Sequence, residues 1–136
     1  MKKIVWPGIV AGVAILILGM IVSYLFMFVP AVAANDGNST IMRQWQDPLM
    51  TLFFVYPFLF GIILAWAWDK SKSLFKGTAG QRGMKFGLSA WLIATIPGMF
   101  ITYTSMPYSF MTVLSWLVGG LINLLAAGYI FARMNK

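Results

Sequence analysis

Three aspartates, Asp36, Asp47 and Asp69, are the only carboxylate side chains in this sequence, which has no glutamate, histidine or cysteine. Each lies at or beyond the end of an apolar run, so no titrating carboxylate sits where a proton relay across lipid needs one. Without cysteine there is no disulfide, thiol redox pair or iron–sulfur ligand. Without imidazole there is no haem axial histidine, no His-ligated zinc and no histidine-based triad. Ten methionines supply soft thioethers of the kind copper accepts, but they are scattered along the chain, and we read them as packing residues. The expectation is no cofactor, no metal and no enzymatic activity.

The remaining polar side chains within apolar runs are hydroxyls and one carboxamide. Thr95, Thr102 and Tyr103 stand in the third run, and Thr112, Ser115, Gly119 and Asn123 fall along one side of the fourth. Such groups do one of two jobs in a membrane. They hydrogen-bond neighbouring helices, at roughly 0.6 to 2 kcal/mol each, or they line a passage. Thr95, Thr102, Tyr103 and Asn123 are the candidate lining of a polar seam between helices three and four, beside the break at Pro97-Gly98.

Small residues recur at helical spacing in two places. Gly8, Gly12 and Gly19 share a face with Ile15, and Gly83, Gly87, Ala90 and Ala94 repeat that i, i+4, i+7, i+11 pattern. These stripes, with Ser115 and Gly119, are candidate helix-packing surfaces because they let a second backbone come close. The shared G-x-x-x-G at Gly8–Gly12 and Gly83–Gly87 also makes the two halves candidates for distant copies of one hairpin.

The elements that must position these residues follow from composition. With 60% hydrophobic and 10% charged residues and a mean hydropathy of +0.83, the chain lies far from soluble usage. It is read as an all-α integral membrane protein, a single membrane domain over residues 1–136. Its four transmembrane helices, at about 4–29, 48–68, 84–104 and 108–132, form two antiparallel hairpins. Ala31-Val32-Ala33 after the first run resembles a signal-peptidase site, but the run exceeds the usual 7 to 15 residues of a signal core, so the helix is read as retained. Pro57 is expected to kink the second helix and Pro97 to bend or unwind the third. Trp6, Trp45, Trp66 and Trp68 are placed for the interfacial aromatic belt. The segment 30–47, with Asn35-Asp36-Gly37-Asn38, reads as a polar loop; the glycosylation-like Asn38-Ser39-Thr40 is treated as turn material.

Nine of the ten basic residues flank the same ends of these helices: Lys2, Lys3, Lys70, Lys72, Lys76, Arg82, Lys85, Arg133 and Lys136, against Arg43 alone on the other side. The positive-inside rule then makes both termini and the loop 69–83 cytoplasmic. Lys70, Lys72, Lys76, Arg82 and Lys85 are candidate contacts for anionic lipid. The net charge of +7 is explained by topology, and no nucleic acid is expected.

In size and helix count the chain resembles the small multidrug transporters, but the membrane-embedded glutamate of that family's first helix has no counterpart between Ile4 and Val29. The four-helix glutathione-linked membrane enzymes carry charges within their helices, and here there are none. The chain is similar over its whole length to small four-helix bacterial membrane proteins, which implies a bacterial or archaeal cytoplasmic membrane as its location. The expected function is helix–helix assembly, as a homo-oligomer or as an accessory subunit beside a partner membrane protein. The alternative is a small pore or carrier for a neutral or apolar solute.

Overall fold

The computed structural model describes residues 2–36, 38 and 40–136; Met1, Gly37 of the expected turn and Ser39 of the glycosylation-like triplet lie outside the described residues. Among the described residues there are helices and connecting turns and no strand. The helices are α1 (Lys2–Phe26), α2 (Pro30–Asp36), α3 (Leu52–Ser71), α4 (Ala79–Ala90), α5 (Ile96–Ser105) and α6 (Phe110–Met134). A 3-10 turn, Pro48–Thr51, leads into α3, another, Lys72–Leu74, follows it, and a π-helical turn, Trp91–Thr95, joins α4 to α5 without a break. Four stretches are long and apolar enough to cross a membrane: Lys2–Phe26, Pro48–Leu74, Ala79–Ser105 and Phe110–Met134. They mark an integral membrane protein.

Glycine decides how these helices meet. A Cβ added at Gly8 would lie 2.6 Å from Ile62 Cα, and one at Gly12 would lie 2.8 Å from Phe58 Cα, while one at Gly61 would run into the Gly8 carbonyl. The same holds between α4 and α6, where Gly83 faces the Gly128 backbone and Gly87 the Leu124 backbone. Gly8, Gly12, Gly83 and Gly87 therefore pack against other helices of the same chain, with backbones closer than any side chain allows. Gly19 and Gly119 sit at the α1–α6 contact, against Asn123 and Val22 respectively.

Most of the core lies toward the basic end. Ala11 and Ile15 of α1, Leu64, Ala65 and Trp68 of α3, Phe86 of α4, and Leu124, Ala127, Phe131 and Ala132 of α6 form one buried cluster. Trp68 is completely buried, with its ring 5.4 Å from Phe86 and 6.2 Å from Phe75. The belt position expected for it is thus replaced by a core position, whereas Trp6, Trp45 and Trp66 are exposed. Its indole N–H donates to the Asn135 carbonyl at 2.8 Å, which satisfies the one polar atom the burial would otherwise strand.

Three interior prolines leave carbonyls without their helical donors. Pro7 deprives the Lys3 carbonyl, and the Asn135 carboxamide supplies the missing donor at 3.2 Å. Pro57 sits buried inside an uninterrupted α3. Pro97 enters α5 just after the π-helical turn, in which the Ile96 N–H reaches five residues back to the Trp91 carbonyl. The extra residue in that turn absorbs the break, so helix runs without interruption from Ala79 to Ser105.

The opposite end is closed by polar caps. Asn35 of α2 accepts hydrogen bonds from the Ser109 N–H (2.9 Å) and the Thr112 hydroxyl (2.7 Å) at the start of α6. On the neighbouring loop, the Leu49 N–H donates to Asp47, which also pairs with Arg43. These bonds, the backbone one first, hold the Asp47 carboxyl below the ordinary aspartate range. Because the folded value is depressed, the contribution of this cap is present above the unfolded aspartate pKa of about 3.9 and is lost as pH falls through the lower folded value. The Leu49 amide resonance should titrate with a midpoint below about 3.9; a midpoint at or above it would mean the cap does not form in solution.

Candidate functional site

Two regions remain once the helix contacts are assigned: the π-helical turn with the α5 half-helix, and the basic end. In the first, Trp91 donates its indole N–H to the Leu117 carbonyl of α6 at 2.9 Å, pinning the wide turn against α6. A Cβ added at Gly120 would lie 3.0 Å from the Thr95 methyl group, so Thr95 packs at the α6 backbone. Beyond that point α5 is only partly covered, meeting α6 at Tyr103 and Phe110. No residue from Trp91 to Ser105 is buried, and Ile93, Phe100 and Ile101 are the most exposed along it. Gly98 has open space around it.

The four seam candidates have different neighbours. Thr95 meets Gly120, as above. Thr102 donates its hydroxyl to the Gly98 carbonyl of its own helix at 2.8 Å. Tyr103 is half-exposed and packs edge-on against Phe110. Asn123 turns toward α1, with its amide nitrogen near Gly19, and its carboxamide oxygen is buried without a hydrogen-bond partner among the described residues. Ser115, for its part, is buried and donates back to the Thr112 carbonyl.

At the basic end a polar knot ties four segments. Asn135, nearly fully buried, donates to the Lys3 carbonyl and to Asp69 (3.0 Å) and accepts from Lys72 (2.7 Å), while Lys72 also pairs with Asp69 at 3.2 Å. Arg82 donates to the Lys72 carbonyl and lies over the Trp68 ring, 5.5 Å from its centroid. Lys85 donates to the Lys76 carbonyl. Lys72, Arg82 and Lys85 thus hold the end of the protein together, whereas Lys70 and Lys76 are exposed with side chains that make no hydrogen bond or ion pair among the described residues.

The knot escaped the sequence reading, although Pro7 four residues after Lys3 signals a carbonyl in need of a donor. Among the described residues no group of three or more carboxylates, histidines or cysteines is placed to hold a metal. No protein-family model matches this chain, and no curated protein or solved structure matches it either.

Proposed function

We propose that this chain is a four-span membrane protein that acts by helix–helix association, as a homo-oligomer or as an accessory subunit of a membrane complex, without catalytic chemistry of its own. In this reading the spans form two antiparallel hairpins. That arrangement is supported by contacts that step in opposite directions: Gly8 with Ile62 and Gly12 with Phe58, then Gly83 with Gly128 and Gly87 with Leu124. The basic end is cytoplasmic, on the strength of nine basic residues there against Arg43 at the other.

The observation that carries the association reading is the half-helix Trp91–Ser105, in which no residue is buried although Trp91 and Thr95 pack against α6. Small-residue contacts between helices are what hold membrane proteins together where lipid is as apolar as leucine. The glycines of α1 and α4 are already engaged internally, so Gly98 and the exposed Ala94 are the small residues of this half-helix left for a neighbouring helix. The carrier reading has less support, because Thr102 is bonded within its own helix and Asn123 lies near Gly19 of α1, leaving Thr95 and Tyr103 as the candidates that meet α6.

Mass measurement in lipid discs tests it. The wild type should run as a symmetric oligomer or with a bound partner, and Gly98→Leu should reduce it to the lone chain with its melting temperature unchanged, because a Cβ added at Gly98 would meet nothing in the same chain within 4 Å. A wild-type protein that stays a lone monomer in lipid discs sinks the reading.

A further inference from the structure

Leu74 is 78% exposed, the highest value of any large apolar side chain among the described residues, and it lies at the end of the last 3-10 turn of its span. Its neighbour Phe75 does the opposite. It stacks on Trp68 and meets Phe86 at 5.8 Å, and so anchors the turn to the core. The turn therefore holds Leu74 out by construction, between two exposed lysines, Lys70 and Lys76. The one acidic residue at this end, Asp69, is already engaged by Lys72 and Asn135.

We infer that the segment Lys70–Lys76 is a binding site for anionic phospholipid, with Lys70 and Lys76 at the headgroup phosphate and Leu74 in the acyl boundary. Uncompensated ammonium groups beside a membrane surface attract anionic headgroups. Charge alone would serve a soluble phosphate equally well. Leu74 distinguishes the two, because an exposed leucine gains from an acyl environment and gains nothing from a phosphate ion in water. This site does not depend on the association proposed above: it would operate in a monomer and in an oligomer alike.

The test compares lipid retained by the protein in discs of phosphatidylcholine with and without phosphatidylglycerol, read by native mass spectrometry. Wild type should retain phosphatidylglycerol selectively, and the preference should fall as salt rises. The double variant Lys70→Gln/Lys76→Gln should lose roughly thirty-fold of that preference, about five-fold for each ammonium removed. Leu74→Ser should weaken retention while leaving the salt dependence in place. Melting in phosphatidylcholine discs checks that both variants are folded, and the salt series on the wild type needs no variant at all. Equal retention of the two lipids by wild type overturns the site, as does a preference that survives the double substitution. Displacement by inorganic phosphate together with an unaltered Leu74→Ser would assign the lysines to a soluble anion and overturn the lipid assignment.

Discussion

In a Gly128→Leu variant α4 and α6 come apart. The new Cβ would run into the Gly83 carbonyl and the Gly87 nitrogen, and backbone cannot swing aside as the end of a side chain can. Ordinary overpacking costs roughly 1 to 3 kcal/mol because neighbouring side chains rearrange. Here the whole helix must retreat, and it would take with it the buried contacts of Leu124, Ala127 and Phe131. The glycine-to-leucine gain in helix propensity, about 1 kcal/mol, does not offset that. The expected result is a protein that fails to give a folded, monodisperse species in detergent. A Gly128→Leu protein that melts like wild type would show that the α4–α6 approach is not as close as described. Gly87→Leu belongs to the same class, since its Cβ meets the Leu124 backbone, and so it reports folding rather than assembly; Gly98 is the position that separates the two.

The second large effect is expected at Trp68. Its replacement by alanine removes the side chain that Phe75, Phe86 and Arg82 all pack on, and leaves the Asn135 carbonyl without its donor. Loss of a fully buried tryptophan typically costs about 3 to 5 kcal/mol, which is a large fraction of the margin by which a protein of this size is stable. Trp66→Ala, two residues away and exposed, should cost far less. Thermal melting in the same lipid discs would compare them directly, and equal losses would return Trp68 to the membrane interface.

The spans were legible because length and hydrophobicity are read locally: every apolar run became a helix, with ends displaced by a few residues. What faces each helix was not. Spacing identifies Gly8 and Gly12 as one small face, but only the partner glycine at Gly61 says that this face is closed by α3. The loop expected at 69–83 shrank because α3 runs on to Ser71 and α4 begins at Ala79, under a capping box of Thr78 and Gln81 that the sequence does display. The prolyl start and Asn-Asp end of Pro30–Asp36 predict a loop, yet Val32 is buried and the segment is helical. Pro97 signalled a break, and nothing local indicates that a π-helical turn absorbs it. Helical period fixes the side of the helix on which the seam residues stand but not whether α1 or α5 lies opposite; for Asn123 it is α1.

The hydrogen bond from Asn135 to the Lys3 carbonyl spans 132 positions of the chain, and that separation is also an interval of time. At ribosomal rates of about 5 to 20 residues per second, the carbonyl exposed by Pro7 waits roughly 7 to 26 s for its donor to be made. Until then the first span has a loose end at the water boundary and the buried place of Trp68 is unsealed. A chain cut short before Asn135 would therefore keep its four spans but leave the Lys3 carbonyl without its donor and the Trp68 indole without its acceptor.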